Sequence, residues 1–112
     1  MAAPIISNDP LYRMLYDENF SAFNDARKKG AVANLKGCDL RGLDLRTVNL
    51  EGLDLSDVYL RGCDLRGLDL RKCRLDGASM ADAQISGCYF PVSIPATEIM
   101  LAIQHGTRIR QR

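Results

Sequence analysis

No apolar run in the chain approaches the length of a membrane span. Charged residues recur every few positions from Asp9 onward, whereas a spanning helix needs about 20 apolar residues in a row. The opening stretch, Met1 to Ser7, has neither a positive start nor a long apolar core, so no secretory leader is expected and the cytoplasm is the expected compartment. An excess of charge is missing too: 15 Lys and Arg stand against 14 Asp and Glu. That excludes a general binder of polyanions or polycations. Catalytic material is equally thin. The single histidine, His105, has Glu98 as its one acidic companion, with no nucleophile placed beside them. There is no GxGxxG, no Walker loop and no CxxC. No enzymatic activity, cofactor or metal is expected.

What the chain does have is a period of five. From Leu35, steps of five meet Leu40, Leu45, Leu50, Leu55, Leu60, Leu65, Leu70, Leu75, Met80, Ile85 and Phe90. Two residues before each of these twelve centres stands another apolar residue, often small, from Ala33 and Cys38 to Ala83 and Cys88. Between the two sits mostly Asp or Asn, after the centre a mostly polar residue, often Arg, and then Gly in seven repeats. On an α-helix, five residues advance about 500°, so successive centres would not share a face. On a continuous strand an odd period puts alternate centres on opposite sides. A short extended triplet followed by a turn satisfies the pattern: the chain winds into a coil, each centre points at the axis, and stacked coils bond one another's backbones.

The units ANLKG, CDLRG, LDLRT, VNLEG, LDLSD, VYLRG, CDLRG and LDLRK closely resemble the A(D/N)LXX unit of the pentapeptide-repeat family. The likeness spans residues 33–92 and loosens where Arg74, Ser79, Gln84 and Tyr89 replace Asp or Asn. It implies an all-β solenoid: a right-handed quadrilateral β-helix of about three coils, four repeats to a coil, with residues twenty apart stacked. The nine residues CDLRGLDLR occur at 38–46 and again at 63–71, one coil and one face apart, which suits a structural code better than a single-copy pocket. The four cysteines, Cys38, Cys63, Cys73 and Cys88, fall in inward slots of four different columns, so reduced and slowly reacting thiols are expected.

Residues 1–32 read as an N-terminal helical cap. Asp9 suits an N-cap, Pro10 a first helical residue and Gly30 a stop, with a break expected at 19–21. Residues 93–112 read as a C-terminal cap in which Ile99, Leu101 and Ile103 alternate as in a strand while Ala96, Ile99, Met100 and Ile103 fit a helix; a short helix ending near Gly106 is favoured, followed by a solvated basic tail from Thr107. The apolar cluster Ile99, Met100, Leu101 and Ile103 exceeds what one helix face hides, which suggests a homodimer through this end.

The expected function is a non-enzymatic protein-interaction module or small scaffold. Its candidate surface is a corner where Arg41 stacks under Arg61 and Arg46 under Arg66, suited to an acidic protein segment. The plainer reading of these arginines, which the residues favour, is that their long stems cover the wall and keep it soluble. The family also includes DNA mimics that bind type II topoisomerases. Three coils of about 15 Å at the β spacing, with eight basic and nine acidic residues in the repeats, are short and weakly charged for that role. Direct nucleic-acid binding is not expected either.

Overall fold

Apolar residues at every fifth position, with polar ones between, leave the backbone one way to bury them: a short extended step, then a turn. The computed structural model describes residues 3–112 and follows this rule from Ala33 to Phe90. In each turn an amide donates to the carbonyl of the preceding centre, as Cys38 N does to Leu35 O at 3.0 Å and Leu68 N to Leu65 O at 3.1 Å. Gly77 shows why glycine recurs there. Its φ is 80°, and a Cβ would run into the carboxylate of Asp57. Asp57 itself holds φ 58° at the equivalent place one coil earlier, a conformation Asp tolerates better than most residues.

Residues twenty apart pair in parallel: Asp39 with Tyr59, Tyr59 with Ser79, Asp44 with Asp64, Asp64 with Gln84, Asp54 with Arg74 and Asp69 with Tyr89. Each bridge carries amide bonds in both directions; Leu40 N donates to Tyr59 O and Tyr59 N to Cys38 O, both at 3.0 Å. The pairing stops at single bridges. Among the described residues no strand or sheet forms, and the regular elements are three helices. A turn every five residues leaves too little extended backbone for a ladder, so the β character is spread over isolated contacts. Ten of the twelve centres, Leu35 through Met80, are at most 3 % exposed; Ile85 and Phe90, in the last coil, are half-buried.

The first end is closed by α1 (Pro10–Tyr16) and α2 (Phe20–Lys28). Asp9 accepts from Leu11 N with one carboxylate oxygen and from Asn34 N with the other, at 2.9 and 2.8 Å. The same side chain therefore caps α1 and fastens it to the first repeat. The helices part at Asp17–Asn19, where Glu18 has φ 59° and Asn19 caps α2. Tyr12, Leu15 and Phe23 are fully buried. The segment before α1 does more than precede a helical cap: Ile5 bridges Cys38 in parallel and extends the coil edge.

The other end carries α3 (Ala96–His105), stopped by Gly106 at φ 70°. It buries Ile99 and Ala102 and leaves Met100 and Leu101 outward. The solvated tail expected from Thr107 is corrected here. Ile109 is 1 % exposed; its amide donates to Ala78 O at 2.9 Å and its carbonyl accepts from Gly77 N at 2.7 Å. Arg110 forks onto Glu98 at 3.0 and 2.7 Å. Gln111 Oε1 accepts from Leu75 N at 2.7 Å. The last coil has no successor, so its edge amides and carbonyls need partners, and the tail supplies them. Among the described residues no helix is long and apolar enough to cross a membrane.

Candidate functional site

Asp and Arg in an Asp-Leu-Arg triplet lie on either side of one inward leucine, so both point outward from the same short step. In this fold they meet. Asp39 Oδ1 accepts from the backbone amide of Arg41 at 3.1 Å, and the two carboxylate oxygens take Arg41 Nε and Nη2 at 2.9 Å each. The arrangement recurs at Asp44–Arg46, Asp64–Arg66 and Asp69–Arg71. Arg46 also reaches Asp64 of the next coil at 3.2 Å. These forks hold the carboxyls low: the side-chain bond from Arg46 takes Asp44 down to about 2, and that from Arg71 does the same for Asp69. The guanidinium pKa values of Arg41, Arg46 and Arg66 rise in return, through the same bonds.

The four arginines picked out from the sequence therefore divide. Arg46 and Arg66 share a closed network with Asp44 and Asp64. Arg41 is bound to Asp39. Arg61 follows Tyr59 instead of an aspartate, and among the described residues its guanidinium meets no hydrogen-bond or ion-pair partner. The register sets Arg61 directly above Arg41, because Asp39 and Tyr59 are bridged.

A fifth arginine joins them from the tail. Arg108 donates to Gly77 O at 2.8 Å and to Tyr59 OH at 2.9 Å, and its guanidinium carbon lies 5.1 Å from the Tyr59 ring centre. Arg41, Arg61 and Arg108, together with Tyr59 and Ser79, line a surface cavity of about 420 Å³. A neighbouring groove of about 650 Å³ shares Arg41 and Arg61 and is lined also by Leu43, Ala81, Tyr16, Asp39 and Asp82. Tyr59 and Arg108 went unnoticed in the sequence, where Ser79 stood only as a departure from Asp or Asn. The signal for Tyr59 was present: it breaks the Asp/Asn pattern in the middle coil. For Arg108 there was none, since its place depends on how the tail folds back.

The thiols are held inward. Cys63, Cys73 and Cys88 donate to Leu40 O, Leu50 O and Leu65 O at 2.9, 3.1 and 2.7 Å, and all four cysteines are free. Burial raises each thiol, Cys63 to about 11, which disfavours the reactive thiolate. Among the described residues no group of three or more His, Cys, Asp or Glu is placed to hold a metal ion.

The family model of pentapeptide repeats matches in eight copies, over residues 32–52 and 54–90. The chain belongs to the pentapeptide-repeat family. No curated protein and no solved structure matches it. As a pentapeptide-repeat protein it follows the repeat code on the inward side throughout and departs from it on the outward side, in one place in the middle coil and in all four repeats of Arg74 to Tyr89.

Proposed function

We propose that this pentapeptide-repeat protein is a non-enzymatic protein-interaction module or small scaffold of the cytoplasm. Its repeats would form a right-handed quadrilateral β-helix of three coils, closed by helices at both ends, whose wall presents fixed charges to a partner protein. The observation that carries this reading is the fixing itself. Outward side chains are anchored every five residues by turns and inter-coil amide bonds, and Asp–Arg forks hold four of the arginines in place. A surface ordered before binding loses little side-chain freedom on association. The buried, raised thiols support a role without covalent chemistry.

The partner fits best as an acidic protein segment drawn to the corner of Arg41, Arg46, Arg61 and Arg66, where Arg61 is the one of the four without a carboxylate among the described residues. A DNA mimic would need free carboxylates, and Asp39, Asp44, Asp64 and Asp69 are already engaged by arginines. A homodimer through the C-terminal end belongs to the same proposal and rests on the outward Met100 and Leu101.

The test is affinity capture with mass spectrometry, wild type against a variant with Arg41, Arg46, Arg61 and Arg66 all changed to Glu. The expected result is a saturable partner that is lost in the variant and weakens with added salt. A folded variant that keeps the partner would move the interaction to another face.

A further inference from the structure

We propose that the cavity beside Tyr59 is an oxyanion site that takes a carboxylate of an acidic protein segment, with Arg61 as its principal donor and Arg108 and Arg41 flanking it. The assignment rests on the interaction-module reading and deepens it, naming one place on the wall.

Five arginines occupy the same position of the repeat: Arg41, Arg46, Arg61, Arg66 and Arg71. Four have an aspartate two residues earlier, and Arg61 has Tyr59. The exchange removes the local counter-charge and leaves the five N–H donors of the Arg61 guanidinium without an acceptor among the described residues. The tail makes the site more positive, since it brings Arg108 onto the Tyr59 ring. Arg41 lies one coil away, at the β spacing of about 4.8 Å, with its charge already met by Asp39. Among the described residues no acidic side chain lines this cavity. Like charges collected in this way repel one another, and a bound anion relieves that repulsion.

Ser79 supplies an independent observation. It lines the same cavity, is 7 % exposed, and its Oγ is the one buried side-chain polar atom without a partner among the described residues. A buried hydroxyl left unpaired costs about 1–3 kcal/mol. The wall thus carries a polar demand that the protein does not meet, next to an uncompensated cation.

The adjoining groove decides between a free anion and a protein segment. It continues from Arg41 and Arg61 over Leu43, Ala81 and Tyr16, with Asp82 and the Arg41-bound Asp39 also in its lining. An inorganic anion gains nothing from that floor. A peptide places its carboxylate on Arg61, where two parallel N–H···O bonds are available, and covers the apolar floor with its own chain.

The experiment uses the full-length protein with its arginine side chains labelled by nitrogen-15. The Nε–Hε signals are followed at low salt while blocked tetraglutamate, and separately inorganic phosphate, is added. The signals of Arg61 and Arg108 are expected to move, and those of Arg46, Arg66 and Arg71 to stay. Arg61→Met should weaken tetraglutamate binding by about tenfold or more, as expected for a lost bidentate charge pair, and Arg66→Met by less than about twofold. Both variants should unfold near the wild-type temperature. Tetraglutamate should bind at least about tenfold more tightly than phosphate, since only the peptide covers the apolar floor. Equal losses in the two variants, or no shift at millimolar peptide, would overturn the site. Phosphate binding as tightly as the peptide would overturn the acidic-segment assignment. If peptide binding fails while a partner is still captured, this site alone falls. If peptide binds and no partner is captured, the interaction-module reading alone falls.

Discussion

Two neighbouring faces of the repeat stack are built from nearly the same residues and end in opposite electrostatic states. On one, Asp44, Arg46, Asp64 and Arg66 form a chain of ion pairs that crosses from coil to coil. On the other, Asp39 and Arg41 pair, and one coil later Arg61 has Tyr59 where Arg41 has its carboxylate. The scaffold beneath is the same in both: leucine centres at most 1 % exposed and parallel bridges at a spacing of twenty. A single outward exchange, aspartate for tyrosine, turns a self-neutralised wall into a cationic one without disturbing the core. In this family of folds the inward pattern specifies the shape, and departures from the outward pattern are where a binding surface is to be sought.

The largest expected effect strikes both faces at once. Leu65 is fully buried, so Leu65→Lys places an unpaired charge in the core and should abolish cooperative unfolding by circular dichroism. Arg66→Lys, one residue along, loses one fork to Asp64 on an exposed face and should cost only a few tenths of a kcal/mol. A Leu65→Lys protein that melts at the wild-type temperature would mean that the assigned repeat phase is wrong.

Ile109→Ala separates the faces. The side chain is 1 % exposed at the end of the stack, so a loss of about 2–5 kcal/mol is expected. Loosening the tail also frees Arg108 from Tyr59, so arginine signals should change on the Tyr59 face and not at Arg46 or Arg66. A melting temperature equal to wild type would return the tail to solvent.

A smaller effect is expected in acid, and it belongs to the neutralised face and the Asp69–Arg71 fork. Asp44 and Asp69 are depressed from 3.8 to about 2 by their arginine forks. A carboxyl depressed on folding stabilises the native state above its unfolded value, and that contribution is lost as pH falls through the folded one. The melting temperature should therefore drop between about pH 4 and pH 2, with a shallower drop in Asp44→Asn. An equally steep drop in that variant would place the acid sensitivity elsewhere.

How much of this was legible follows from which contacts are local. The inward residues, the helix start at Asp9–Pro10 and the stop at Gly106 all depend on neighbours a few positions away and stand where the pattern puts them, while the break expected at 19–21 lies slightly earlier, at Asp17–Asn19. The Asp–Arg fork is local as well, since one extended step joins its members, yet the pattern shows only that Asp44 and Asp64 offset the arginine columns and not the bidentate geometry. The tail was not legible. Nothing in Thr107 to Arg112 shows that Ile109 covers the last coil, because the demand comes from unpaired amides and carbonyls at Leu75, Gly77 and Ala78, more than thirty residues away. The cationic cavity inherits this difficulty, since it needs Arg108 to be brought back onto Tyr59.

The most direct measurement of the central claim compares two single neutralisations in partner capture, Arg61→Met and Arg66→Met, with circular dichroism verifying the fold of each. Both side chains are exposed arginines of the same repeat position, one without a carboxylate and one held by Asp64. Loss of the partner in Arg61→Met and its retention in Arg66→Met is the predicted result. Retention in Arg61→Met with loss in Arg66→Met would contradict the account and place recognition on the ion-paired face.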